Sequence, residues 1–220
     1  MLPPSSPTRT APSFLAFVVL LGSAALTRSP VHAQEPVGWG GADLEFHTFS
    51  IVGVDPVTGE VGAAVTTRNA CVGNGVPWVR VGVGAVATQA STRTQYGHEL
   101  LDMIESGMDP AQALASALTR DDRAESRQVG VISADGRSAQ HTGTRPGNWA
   151  GHRSGLNYAT QGNVLMGPEV LDAVARTFEA TEGSPWLGRL ISARRYLKPS
   201  THHIRTSVPK PLIFTERPAV

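Results

Sequence analysis

The chain has 220 residues, 40% of them hydrophobic and 17% charged, with a formal net charge of +1. This composition excludes a disordered chain and suffices for one domain with its own core. The body between Gln34 and Ala193 is mildly acidic, which gives no electrostatic footprint for nucleic acid; both lysines, Lys198 and Lys210, fall in a basic tail after it.

Residues 1–33 read as a secretory signal peptide. Arg9 is the only charge ahead of an apolar run over residues 14–26, which is too short to span a bilayer. Val31-His32-Ala33 then places short side chains at the −3 and −1 positions of a cut. Cleavage after Ala33 predicts a secreted or periplasmic protein without a stable membrane span. Residues 34–47 read as a loose, Gly-rich leader.

Residues 48–54 predict a strand, Asp55-Pro56-Val57-Thr58-Gly59 a turn, and residues 60–67 the returning strand of a hairpin. Residues 72–79 read as a loop around Gly73, Gly75 and Pro77. Residues 81–88 predict a long strand whose small alternate residues allow a close approach on one face. Gly82-x-Gly84-x-x-Ala87 lies inside that strand, so it is not a dinucleotide-binding turn. Residues 97–106 predict a helix ended by Gly107; Asp109-Pro110 opens a second that runs to Leu118. Residues 127–133 and 138–142 form a second predicted hairpin around Asp135-Gly136. Trp149-Ala150-Gly151 and residues 157–161 predict short strands. Gly167-Pro168-Glu169 starts a helix to Thr181, and a last helix covers residues 186–193. Residues 194–220 read as an unpacked basic end. Hairpins mean antiparallel pairing, and strands and helices in separate runs predict an α+β fold.

The lone Cys71 cannot form an internal disulfide and reads as a small buried residue. No metal site is predicted: His98, His141 and His152 lack a ligand spacing, and His202-His203 are adjacent. No G-x-S-x-G elbow occurs, so a Ser-His-Asp triad is not predicted. No cofactor motif is present, and nothing in the sequence speaks to an oligomeric state. Trp78 and Trp149 read as core.

Several stretches, "TFSIVGVDPVTGEVGAAV", "VGNGVPWVRVGVGAVATQA", "RQVGVISADG", "HTG" and "NWAGHRSGLNYATQGNVLMGPEV", together resemble the DUF1028 family. That group has no assigned function and is placed in the N-terminal-nucleophile (Ntn) hydrolase superfamily. The resemblance covers residues 48–193. It implies a four-layer αββα sandwich, two antiparallel sheets between helices. Similar members continue past the last helix into a segment rich in Gly-Gly-Asp and Arg-Gly. Here the composition changes at Arg194, as it would in a truncated or frame-shifted C-terminus.

The resemblance also implies a chemistry. An Ntn enzyme uses a terminal Thr hydroxyl as nucleophile and the α-amino group of the same residue as base. That amine titrates near about 7.7–8.0, so part of it is neutral at working pH. Thr48 is the candidate, but signal cleavage leaves residues 34–47 ahead of it. Catalysis then needs a second cut between His47 and Thr48. Asn163 is a candidate oxyanion donor. Arg68, Asn69, Gln89 and Gln161 are candidate substrate-binding residues. The expected substrate is a small amide. Two readings stand side by side: an exported amidohydrolase, or a non-catalytic binding module on the same fold. In the second, Thr48 is an ordinary strand residue whose hydroxyl bonds a neighbour.

Overall fold

The computed structural model describes residues 47–67, 69–193 and 212–216. The segment read as a signal peptide, and the expected leader apart from His47, lie outside the described residues. Among the described residues, two antiparallel sheets and four α-helices make an α+β fold.

The first hairpin forms as the sequence predicts. β1 (Thr48–Asp55) and β2 (Glu60–Thr67) pair antiparallel from Asp55 opposite Glu60 to Thr48 opposite Thr67. Asp55 Oδ1 accepts from Val57 N at 2.9 Å, and Gly59 supplies the turn's positive φ of 71°. β3 (Pro77–Arg80) and β4 (Gly84–Ala90) form the next hairpin. This corrects two expectations. β3 lies where only a loop was predicted, and β4 starts later than the strand expected at residue 81. The cause is Gly82, whose φ of 71° turns the chain, with Val83 N donating to Arg80 O at 3.1 Å.

α1 (Gln95–Glu105) and α2 (Pro110–Leu118) follow. Asp109 caps α2, its side chain accepting from Ala111 N, with Pro110 at the first helical position. β5 (Arg127–Ser133) and β6 (Ser138–Thr142) match their predicted bounds. β7 (Trp149–Gly155) and β8 (Tyr158–Leu165) are longer than predicted. They are one hairpin, turning at Leu156 and Asn157, where Asn157 takes φ 65°. α3 (Glu169–Ala180) and α4 (Trp186–Ser192) close the body. The basic tail is not wholly unpacked: β9 (Leu212–Glu216) pairs with β2.

The first sheet runs β7-β8-β1-β2-β9, and the second β3-β4-β5-β6. Three apolar seams hold them. Phe49, Ile51 and Leu165 pack with Leu171, Phe178, Trp186 and Leu190 of α3 and α4. Val52, Val54, Val61 and Ala63 of the first sheet meet Ala85, Ala87 and Ile132 of the second. Val86, Val129 and Val131 meet Leu100, Leu101 and Leu114 of α1 and α2. Alternation along each strand explains the split, because successive side chains face opposite sides of a sheet. Among the described residues no helix is long and apolar enough to cross a membrane.

Candidate functional site

Thr48 is the first residue of β1, the central strand of its sheet. Val52 and Val54 face the second sheet, so alternation turns Thr48 and Ser50 the same way. Thr48 is flanked by Thr67 on β2 and Asn163 on β8. It is 5% exposed, and its Oγ1 lies 2.8 Å from Thr67 Oγ1 in a hydrogen bond between hydroxyls. At this end the space between the sheets is therefore polar, where further along the same strands it is filled by valine and alanine.

Gln128, at the start of β5, organises the polar end. Its Nε2 has three acceptors within reach of its two hydrogens: Gly162 O at 2.8 Å, Thr142 Oγ1 at 3.0 Å and Gly151 O at 3.1 Å. Its Oε1 accepts from Gln89 Nε2 at 2.8 Å and Asn163 Nδ2 at 3.0 Å. Gln161 Nε2 donates across to Ala87 O at 2.8 Å. One amide thus ties β4, β5, β6, β7 and β8 together. Outside this cluster, Thr142 Oγ1 also lies 3.0 Å from His152 Nδ1. Partial desolvation of the ring, then the charges of Arg153 and His141, lower the His152 pKa from its ordinary value.

Four of the predicted residues, Thr48, Gln89, Gln161 and Asn163, thus come together. Asn69 is exposed; only its backbone joins, N donating to Thr67 Oγ1 at 3.1 Å. Arg68 lies outside the described residues. Asn163 has one amide hydrogen on Gln128 and keeps a second for another acceptor. Cys71 is exposed, not buried as expected, because it sits with φ 59° in the loop after β2. Trp78 and Trp149 are partly buried against the apolar seams.

The sequence reading missed Ser50, Thr67, Thr142 and Gln128. Thr67 was within its reach: a hairpin with Asp55 opposite Glu60 places Thr67 opposite Thr48. Gln128 follows from alternation in β5 once Ile132 is assigned inward. Ser50 shares the inward parity of Thr48. Thr142 had no local signal.

His47, the residue before Thr48, is held by its ring: Nδ1 bonds Val164 O. Val164 has φ 54°, an uncommon conformation for a β-branched residue. A surface cavity of about 470 Å³ lies at the other end of β1, lined by Asp55, Leu156, Phe178, Glu179 and Arg189 among others. It contains none of the predicted site residues. Among the described residues no group of three or more His, Cys, Asp and Glu could hold a metal ion.

No curated protein matches the chain in sequence. Among solved structures, the crystal structure of a DUF1028 protein from Silicibacter pomeroyi is similar, with a TM-score of 0.64 and 30% identity. The match covers 67% of this chain and 68% of that one. The profile of DUF1028, a family of unknown function, matches residues 48–196. The chain belongs to the DUF1028 family.

Proposed function

We propose that this protein is an exported amidohydrolase of the N-terminal-nucleophile type, acting on a small amide with Thr48 as nucleophile. The observation that carries the reading is the position of Thr48: first residue of the central strand, its hydroxyl in the polar seam between two sheets, beside Asn163. The succession of helices, sheet, sheet and helices is the arrangement expected of an Ntn hydrolase. The α-amino group of Thr48, once free, takes the proton of Oγ1 as the hydroxyl attacks the amide carbonyl. The second amide hydrogen of Asn163 is the proposed donor to the developing oxyanion. The amine leaves with the returned proton, and water releases the acyl group from Oγ1.

A second reading, a binding module without catalysis, is favoured by two observations. The Thr48 hydroxyl bonds a neighbour, Thr67, as an ordinary strand residue would, and His47 is anchored on Val164, so the residue ahead of Thr48 is fixed at the start of the central strand. An assay of amide hydrolysis on protein recovered from an exporting host separates the two. The amidohydrolase reading expects turnover that Thr48→Ala abolishes and Thr48→Ser partly keeps. No turnover with any amide favours the binding module, and turnover unchanged in Thr48→Ala overturns Thr48 as the nucleophile.

A further inference from the structure

The polar seam beside Thr48 holds, among the described residues, two side-chain carbonyl oxygens without a donor, and its hydrogen bonds fix which atoms these are. Gly151 O and Gly162 O can only accept, so the Gln128 atom facing them is nitrogen. The oxygen of Gln128 then receives the amide nitrogens of Gln89 and Asn163. The free end of Gln89 is therefore a carbonyl oxygen. Gln161 is set in the same way by Ala87 O, which leaves its Oε1 as the free end. Gln89, Gln161 and Ser50 are each 1% exposed. Gln89 Oε1, Gln161 Oε1 and Ser50 Oγ have no hydrogen-bond partner among the described residues.

Buried acceptors without donors are costly, and a group that persists in that state calls for an explanation. Ser50 and Gln161 stand opposite each other on β1 and β8. Ser50 is two residues along the strand from Thr48, roughly 7 Å away on the same face. Gly130 belongs to the same arrangement: a Cβ there would stand 3.0 Å from Gln161 Oε1, so glycine keeps that oxygen clear.

The geometry points to Gln89 and Gln161 as specificity-determining residues that receive the N–H hydrogens of a neutral NH₂ group borne on a carbonyl carbon of the ligand. A carboxylate would face carbonyl oxygens, and the described seam residues offer it no cation. An ammonium would lose its hydration without gaining a carboxylate. A carboxamide or ureido NH₂ supplies two donors and carries no charge to desolvate. This inference rests on the amidohydrolase reading for the position of the reacting group, but recognition itself does not need the Thr48 hydroxyl.

The test is ligand-observed NMR on the full protein recovered from an exporting host, with propionamide, N,N-dimethylpropionamide, propionate and propylammonium. Saturation transfer reads binding, and new resonances read conversion in the same tube. Propionamide is expected to bind at least tenfold more tightly than the other three. Ser50→Ala, which leaves the Gln128 bonds in place, is expected to weaken it about fivefold. Gly130→Ala is expected to weaken it as well, by crowding Gln161. Equal binding of propionamide and its dimethyl analogue, or no binding of propionamide, overturns the inference. Binding of propionamide without conversion leaves the recognition standing and removes the catalytic reading. Conversion of both amides alike does the reverse.

Discussion

Gln128 has five side-chain hydrogen-bond partners, three of them sharing its two amide hydrogens, and is fully buried. Replacing it by leucine strands two backbone carbonyls and the amide nitrogens of Gln89 and Asn163. Each buried group left without a partner costs about 1–3 kcal/mol. Gln128→Leu is therefore expected to lower the unfolding free energy by about 3 kcal/mol or more, read as a shift of the urea midpoint. A change below about 1 kcal/mol would mean the seam relaxes around the loss. A second buried cluster gives a pH signature. Arg127 Nε donates to Asp121 Oδ2 at 2.8 Å, and Tyr96 Oη donates to the same oxygen at 2.9 Å. The hydrogen bond from Arg127 lowers the Asp121 pKa from 3.8 to about 2, and burial pushes the Tyr96 hydroxyl up to about 12. A carboxyl with a depressed folded pKa stabilises the fold fully above its unfolded value. That stabilisation, about 2 kcal/mol, disappears as the pH falls from 3.8 toward 2. Unfolding curves across that window are expected to show this slope in the native chain. Asp121→Asn is expected to lose it and to be destabilised at neutral pH, since Arg127 is left buried without its anion.

Among the elements, the contact of α1 with β3 depends on one missing methyl group. A Cβ at Gly97 would lie 2.2 Å from two ring atoms of Trp78. Neither the helix backbone nor the indole yields easily, so Gly97→Ala is expected to cost about 1–3 kcal/mol despite alanine's better helix propensity. A rise in thermal midpoint would show that Trp78 can swing away freely. The elements also show what could be read locally. β1, β2, β5 and β6 combine alternation with turns whose residues declare themselves, Asp55 to Gly59 and Asp135-Gly136, so their bounds were legible. β3 and β4 were not. Gly82 and Gly84 sit two apart in a run of small residues that fits strand alternation, and only the positive φ at Gly82 reveals a turn there. The Thr48–Thr67 pair follows from hairpin register alone. The Thr48–Asn163 pair does not, because β8 comes to lie beside β1 through a contact far apart in sequence.

For the whole molecule, β9 links the two sheets at one edge. It extends the first sheet beyond β2, and Glu216 Oε2 accepts from Val81 N, in the β3–β4 turn, at 2.9 Å. Removing the chain after Ala193 uncovers the backbone edge of β2. The truncated protein is expected to keep its secondary structure, melt at lower temperature and associate through the open edge. An unchanged melting temperature and a monomeric elution profile would show that β9 contributes little. The catalytic account depends on one covalent fact about the molecule. Thr48 can serve as its own base only if its nitrogen is an amine. The most direct measurement is intact mass with N-terminal sequencing of the protein recovered from an exporting host. A chain starting at Thr48 is the predicted result. A chain that starts at Gln34 and stays so on incubation would contradict the account, because the Thr48 nitrogen would remain an amide.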